Sequence, residues 1–173
     1  MKEMNRLIPV FLMLIFMSVS VYADDFQDGV KAFKREDYKT AFEKWRPLAE
    51  HGNSKAEYNI GAMYDYGLWI KQDYKQEFKW FSLSAEQGHA KAGYKLGLMY
   101  EEGRGTDLEF IKAYMWYRIA EVGGENRGSM NRDAIEKKMT PAQIAEAQKL
   151  AREWMEEHGK KQANLIGNLV PLK

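Results

Sequence analysis

An all-α solenoid of three helix-turn-helix repeats, closed by a C-terminal pair of capping helices, is the fold this sequence predicts. Three observations carry it. Shifting the chain by 36 places lays Asp37, Tyr38, Phe42, Ala49, Gly52, Ala56, Tyr58, Gly61, Met63, Tyr64 and Gly67 onto Asp73, Tyr74, Phe78, Ala85, Gly88, Ala92, Tyr94, Gly97, Met99, Tyr100 and Gly103. A third, shorter copy starts at Glu109 and carries Phe110, Tyr114, Trp116, Tyr117 and Gly124 in the same register, with Ala113 facing Glu77. Within each copy the apolar residues recur at steps of three and four, the spacing of one buried helical face. A period of this length marks stacked supersecondary units, none of which can bury its apolar face alone.

In chain order, Lys2 and Arg6 precede the apolar run 7–21, and Val21-Tyr22-Ala23 ends it with a small residue before Asp24. This pattern predicts a secretory signal cut after Ala23, leaving a periplasmic or secreted chain. Asp25 is expected to cap a short helix carrying Phe26, Val30 and Phe33. Tyr38, Ala41, Phe42, Trp45, Leu48 and Ala49 then form one helical face, with Pro47 kinking the helix rather than ending it. Gly52 supplies the stop. The next helix is expected over 54–66, with Ala56, Ile60, Gly61, Met63 and Tyr64 inward. Glycine inside a helix costs about 1 kcal/mol relative to alanine, so Gly61 and Gly97 imply a close crossing there. A helix from Asp73 buries Tyr74, Phe78, Phe81 and Ala85, and Thr106 with Glu109 is spaced as a capping box for the helix through Trp116 and Ile119. Residues 126–139 read as helical. Thr140-Pro141-Ala142-Gln143 then opens a helix to His158, whose Ile144, Ala147, Leu150, Ala151 and Trp154 seal the stack. The units are 37–72, 73–108 and 109–124, the cap is 125–158, and 159–173 is a tail whose Leu165, Ile166, Leu169 and Val170 either fray or dock on the solenoid.

Composition narrows the function. The chain has no Cys among its 173 residues, which excludes disulfides, thiolate metal sites and a cysteine nucleophile. Its 26 basic and 25 acidic side chains become equal once Lys2, Arg6 and Glu3 leave with the leader. A balanced chain gives no reason to expect nucleic acid or an anionic membrane surface as partner. About 150 residues suffice for one domain burying roughly two thirds of its surface.

The run Ala56-Glu57-Tyr58-Asn59-Ile60-Gly61 with Tyr64 and Gly67, and its copy Ala92-Gly93-Tyr94-Lys95-Leu96-Gly97 with Tyr100, Gly103 and Gly105, resembles the Sel-1-like repeat family, relatives of tetratricopeptide repeats. Trp80-Phe81 followed by Ala85-Glu86-Gln87-Gly88, and Trp116-Tyr117, are similar to that family's second-helix motif. The resemblance covers 37–124 and implies a right-handed superhelix of helix pairs serving as a platform for protein partners. Trp69 departs from it, standing where Gly105 stands in the next copy. Cysteine-rich secreted members are linked to penicillin-type compounds; this chain lacks their cysteines.

The solvent stripe beside the inward face of the second helix is Lys55, Asn59, Ala62 and Tyr66, and its copy is Lys91, Lys95, Leu98 and Glu102. These eight are either the candidate partner-binding groove or an ordinary solvated helix face, with Tyr66 and Leu98 as the residues that favour recognition. Leu68, Trp69 and Ile70 form a second candidate, a loop patch that either contacts a partner or folds back over Tyr74. Trp45, Trp80, Trp116 and Trp154 are core or groove wall. His51, His89 and His158 stand apart, no His-Glu-x-x-His spacing occurs, and Ser82 and Ser84 lack an elbow motif, so neither catalytic residue, metal nor cofactor is expected. The reading is therefore an exported, non-enzymatic scaffold for a protein or peptide partner. The competing readings are a cell-wall- or β-lactam-related hydrolase or binding protein on the same scaffold, and a homo-oligomer joined through the tail or the Trp69 loop.

Overall fold

A computed structural model describes the backbone of residues 24–169 and the side chains of 24–161. The leader and its cut after Ala23 lie outside the described residues, as do Val170 and the side chains of Leu165, Ile166 and Leu169. Every regular element among the described residues is helical: α1 over 24–34, α2 Tyr38–Glu50, α3 Ser54–Tyr66, α4 Tyr74–Glu86, α5 Ala90–Glu102, α6 Phe110–Val122, α7 Arg127–Glu136 and α8 Pro141–Leu169. Each helix packs on the next from α2 to α7, which is the contact pattern of a helical solenoid.

The 36-residue echo extends to the backbone. At the ends of α2, α4 and α6, the amides of Asn53, His89 and Glu125 donate to the carbonyls of Leu48, Ser84 and Ala120. Gly52, Gly88 and Gly124 provide the left-handed residue each closure needs, at φ 82°, 83° and 94°. Three equal turns thus close the first helix of each pair, although α7 at 10 residues is shorter than the 13-residue α3 and α5. Asp37 and Asp73 cap α2 and α4 through their side chains, accepting from Thr40 and from Lys75 and Gln76. Glu109 holds the same place before α6 but makes no side-chain cap bond, its carboxylate turning to Lys112 at 2.8 Å.

Four sequence expectations are corrected. Thr106 does not cap α6, which begins at Phe110. Asp25 lies within α1 rather than ahead of it, and its carboxylate takes the Lys44 ammonium at 2.6 Å. The last helix does not stop at His158 but passes through Gly159 to Leu169. The close approach at Gly61 and Gly97 is to aromatic rings, not chiefly to backbone. A Cβ on Gly61 would stand 2.8 Å from the Phe81 ring, and one on Gly97 would stand 2.6 Å from Tyr117. Phe81 and Tyr117 are themselves 36 apart. Pro47, as expected, sits within α2 without ending it.

Burial follows the predicted faces except at Tyr74, which is not inward but 42% exposed, with the Arg104 guanidinium over its ring. Ala41, Phe42, Trp45, Leu48, Ala56, Ile60 and Met63 form one core, and Phe81, Ala85, Leu96, Met99, Trp116 and Ile119 the next. The capping box holds, since the Gln143 amide donates to Thr140 Oγ1 and the Thr140 amide donates to Gln143 Oε1. The two terminal helices seal the stack differently from a hairpin: α7 and α8 each pack mainly on α6. Ala147 and Ala151 are fully buried there, and Trp154 meets Trp116 edge to face at 5.6 Å. Its indole N–H also reaches back to Glu86 of α4 at 3.3 Å.

Candidate functional site

The helices α3, α5 and α7 occupy equivalent places in the stack, so their solvent faces form one surface. Of the eight groove residues read from the sequence, Lys55, Tyr66, Lys91 and Glu102 are exposed and Asn59 is half-buried. Ala62 packs against the Phe81–Leu96 core and Leu98 against the Tyr114–Tyr117 core, so both support the wall from behind. Lys95 is drawn inward. Its ammonium lies 2.7 Å from Asp65 Oδ2, with side-chain exposures of 16% and 9% for the pair. Burial alone would lower the Lys95 pKa, but the hydrogen bond and charge of Asp65 raise it overall. The same ammonium lies 5.3 Å from the centroid of the Tyr66 ring, which is 66% exposed. A cation fixed by a buried carboxylate thus holds an aromatic ring on the surface.

Asp65 belongs to a larger buried network. Arg104 donates to Asp65 Oδ1 at 3.4 Å, pairs with Glu102 at 2.9 Å, and brings Nη2 within 3.6 Å of Glu77 Oε1. Glu77 is wholly buried on α4, at the place where the other two copies have Ala41 and Ala113, also wholly buried. Neither of its oxygens has a hydrogen bond. Burial, and secondarily the charge of Asp65, push its pKa up to about 7 against the opposing pull of Arg104 and Lys95. Glu57, 2% exposed, is also pushed to about 7 by burial and accepts a 2.7 Å bond from Gln87. Sequence reasoning missed this network. Its one visible signal was that Glu77 breaks the overlay with Ala113.

The loop patch divides. Leu68 and Ile70 pack against the first core, while Trp69 is 51% exposed with its ring 5.3 Å from Phe42 rather than over Tyr74. Trp69 has φ 63°, the left-handed conformation that Gly105 adopts at φ 70° one repeat later. A Cβ on Gly105 would strike the Tyr74 carbonyl at 2.1 Å, so only that repeat requires glycine.

His89 is the N-cap of α5. Its Nδ1 accepts from the Ala92 amide at 3.3 Å, and its ring stacks on Tyr58 at 4.8 Å. Ser84 donates its hydroxyl to the Ser54 carbonyl at 2.7 Å, and so serves the α3–α4 contact. Among the described residues no three His, Asp or Glu side chains are placed to hold a metal ion, and no helix is long and apolar enough to cross a membrane.

The Sel1 repeat family matches residues 54–89 and 90–121. The chain carries two Sel1 repeats. Their starts repeat the 36-residue step, but each opens one helix later than the units of the sequence overlay, pairing α3 with α4 and α5 with α6. These are also the two most extensive helix contacts in the stack. Among solved structures this Sel1-repeat chain is similar to c5321, described as a protective antigen present in uropathogenic Escherichia coli strains displaying an SLR fold. The identity is 28% and the TM-score 0.75, over 88% of this chain and 33% of that one. It is also similar to a Sel1 repeat protein from Oxalobacter formigenes, at 26% identity and TM-score 0.62, over 75% of this chain and 55% of that one. The chain thus spans a third of the first relative and about half of the second. No curated protein sequence matches it.

Proposed function

We propose that this chain is an exported, non-enzymatic scaffold that binds a protein or peptide partner across the exposed face of α3 and α5. Sel1 repeats generally serve as protein interaction platforms, and the resemblance extends to most of this chain. The observation that carries the reading is Tyr66, two-thirds exposed on a rigid support made by the Lys95–Asp65 pair. Exposed aromatics held in one conformation lose little entropy on binding and concentrate interface energy. Lys55, Asn59, Lys91 and Glu102 supply polar groups along the length of the same face, while the half-exposed Trp69 on Phe42 offers a second contact.

Export follows from the charged start, apolar run and small residue at Ala23. The mass of the protein recovered from the export compartment should correspond to a chain starting at Asp24; an intact leader on the recovered protein would reject cleavage. Partner binding is tested by capture from that compartment with the wild-type chain and with Tyr66→Ala/Asn59→Ala. The variant should keep its helical circular dichroism and lose the captured partner. Equal capture by both would remove the α3–α5 face from the proposal.

A further inference from the structure

The first turns of three successive equivalent helices carry the same charge. Lys55 on α3, Lys91 on α5 and Arg127 on α7 stand 36 residues apart. Lys55 and Lys91 are exposed and form no ion pair among the described residues. A helix N-terminus already bears the positive end of the backbone dipole, so a cation in the first turn is repelled and an anion is favoured. Neither α5 nor α7 has an acidic residue in its first turn to offset this. The one on α3, Glu57, is buried against Gln87 and turned away from solvent.

Around these cations the surface is built of rigid groups. His89 stacks on Tyr58, and burial followed by the fields of Lys91 and Lys55 lowers its pKa, which keeps its ring neutral at pH 7. With Nδ1 accepting the Ala92 amide, the neutral ring carries its proton on Nε2, as a donor. Arg127 lies over Tyr94 at 4.5 Å and is gripped by Glu125 through bonds of 2.8 and 2.9 Å. At the opposite ends of α3 and α5 the charges are paired: Asp65 with Lys95 and Arg104, Glu102 with Arg104, and Glu101 with Lys138. Lys55 and Lys91 are by contrast left without an ion-pair partner among the described residues at their edge.

We propose that the Lys55–Lys91 edge binds an acidic peptide segment of the partner, its Asp or Glu carboxylates lying along the first turns of α3 and α5, with Arg127, already held by Glu125, closing the edge. Resting on the scaffold reading above, this names the partner's chemistry. Nucleic acid fits less well: Glu125 already compensates Arg127, which leaves two free cations among the described residues of this edge, and the whole chain carries a net charge of only +1.

The test is fluorescence anisotropy with a labelled Glu/Ser peptide of about ten residues, its Lys/Ser counterpart, and an oligothymidylate of similar length. The wild type should bind the Glu/Ser peptide in preference to both others, more weakly as salt rises. Lys55→Ala/Lys91→Ala should weaken that binding at least about fivefold, as expected for two partly exposed ion pairs. The control Lys34→Ala/Lys160→Ala removes the same charge elsewhere and should stay within about twofold. No binding of the acidic peptide, equal weakening by the control, or equally tight oligothymidylate would overturn the inference. If the acidic peptide fails while Tyr66-dependent capture persists, this inference alone falls and the scaffold reading stands; failure of both removes its foundation.

Discussion

Glu77 makes the stability of this solenoid dependent on pH in a direction opposite to that of most paired carboxylates. Its folded pKa of about 7 lies above the value near 4.5 expected for the unfolded chain. The folded state therefore binds more protons than the unfolded state between those limits, and stability falls as pH rises through them. The contribution is fully present below about pH 4.5 and lost above about pH 7. For a single group with these two values, linkage gives a loss of about 2.5 kcal/mol between pH 5 and pH 8. Glu57, with the same shift from burial, adds a loss of similar size. The perturbation is Glu77→Gln, which keeps the shape of the side chain and removes its titration. Urea denaturation at pH 5, 6, 7 and 8 should show the variant more stable than the wild type at pH 8 by about 2 to 3 kcal/mol, the two curves converging toward pH 5. The pH slope should fall to about half, the remainder belonging to Glu57. A variant less stable than the wild type at pH 8 would refute the reasoning, because it would mean that Arg104, 3.6 Å away, stabilises the ionised carboxylate by more than burial penalises it.

Other substitutions separate packing from surface chemistry. Gly97→Ala would press a methyl into the Tyr117 ring and should cost about 1 to 3 kcal/mol by thermal or urea unfolding, despite the better helix propensity of alanine. Gly159→Ala, with nothing within 4 Å, should instead stabilise by up to about 1 kcal/mol; equal effects at the two positions would show that ring contact is not what selects glycine. Thr140→Ala removes half the capping box of α8 and should cost about 1 kcal/mol, an expectation that an unchanged urea midpoint would contradict. Lys95→Met leaves Asp65 with Arg104 alone at 3.4 Å and should destabilise by about 3 kcal/mol. A fully stable Lys95→Met protein would return Lys95 to the partner-binding set.

What the sequence made legible was whatever repeats. The bounds of α3 came out at 54–66 because Gly52 and Gly67 bracket an apolar helical face, and a second copy of the same signals fixed α5. The cap of α6 was misread because Thr106 and Glu109 match a local pattern, while register with Asp37 and Asp73 places the boundary at Glu109 itself. The end of α8 was misread at Gly159, where one exposed glycine costs only about 1 kcal/mol and the flanking Glu157–Lys161 pair supports continued helix. The eight-residue stripe was recovered as one face, but its chemistry was not. Lys95 looks like its solvent-facing neighbours in sequence, and only the fold brings Asp65 from the preceding repeat beneath it. Glu77 on α4 and Arg104, just past the end of α5, are likewise 27 positions apart and are brought together only by the packing of those two helices.

The way α8 lies has one more consequence. A ladder of like rungs has no length of its own, since its final rung offers the next the same apolar bed that it received. Here α8 covers α6 and leans back through Trp154 toward α4, occupying ground on which a further rung would rest. A chain cut before Thr140 would bare Tyr114 and Trp116, which Gln148 and Trp154 of α8 now meet, inviting copies to join end to end. Growth is thereby halted from within the same polypeptide.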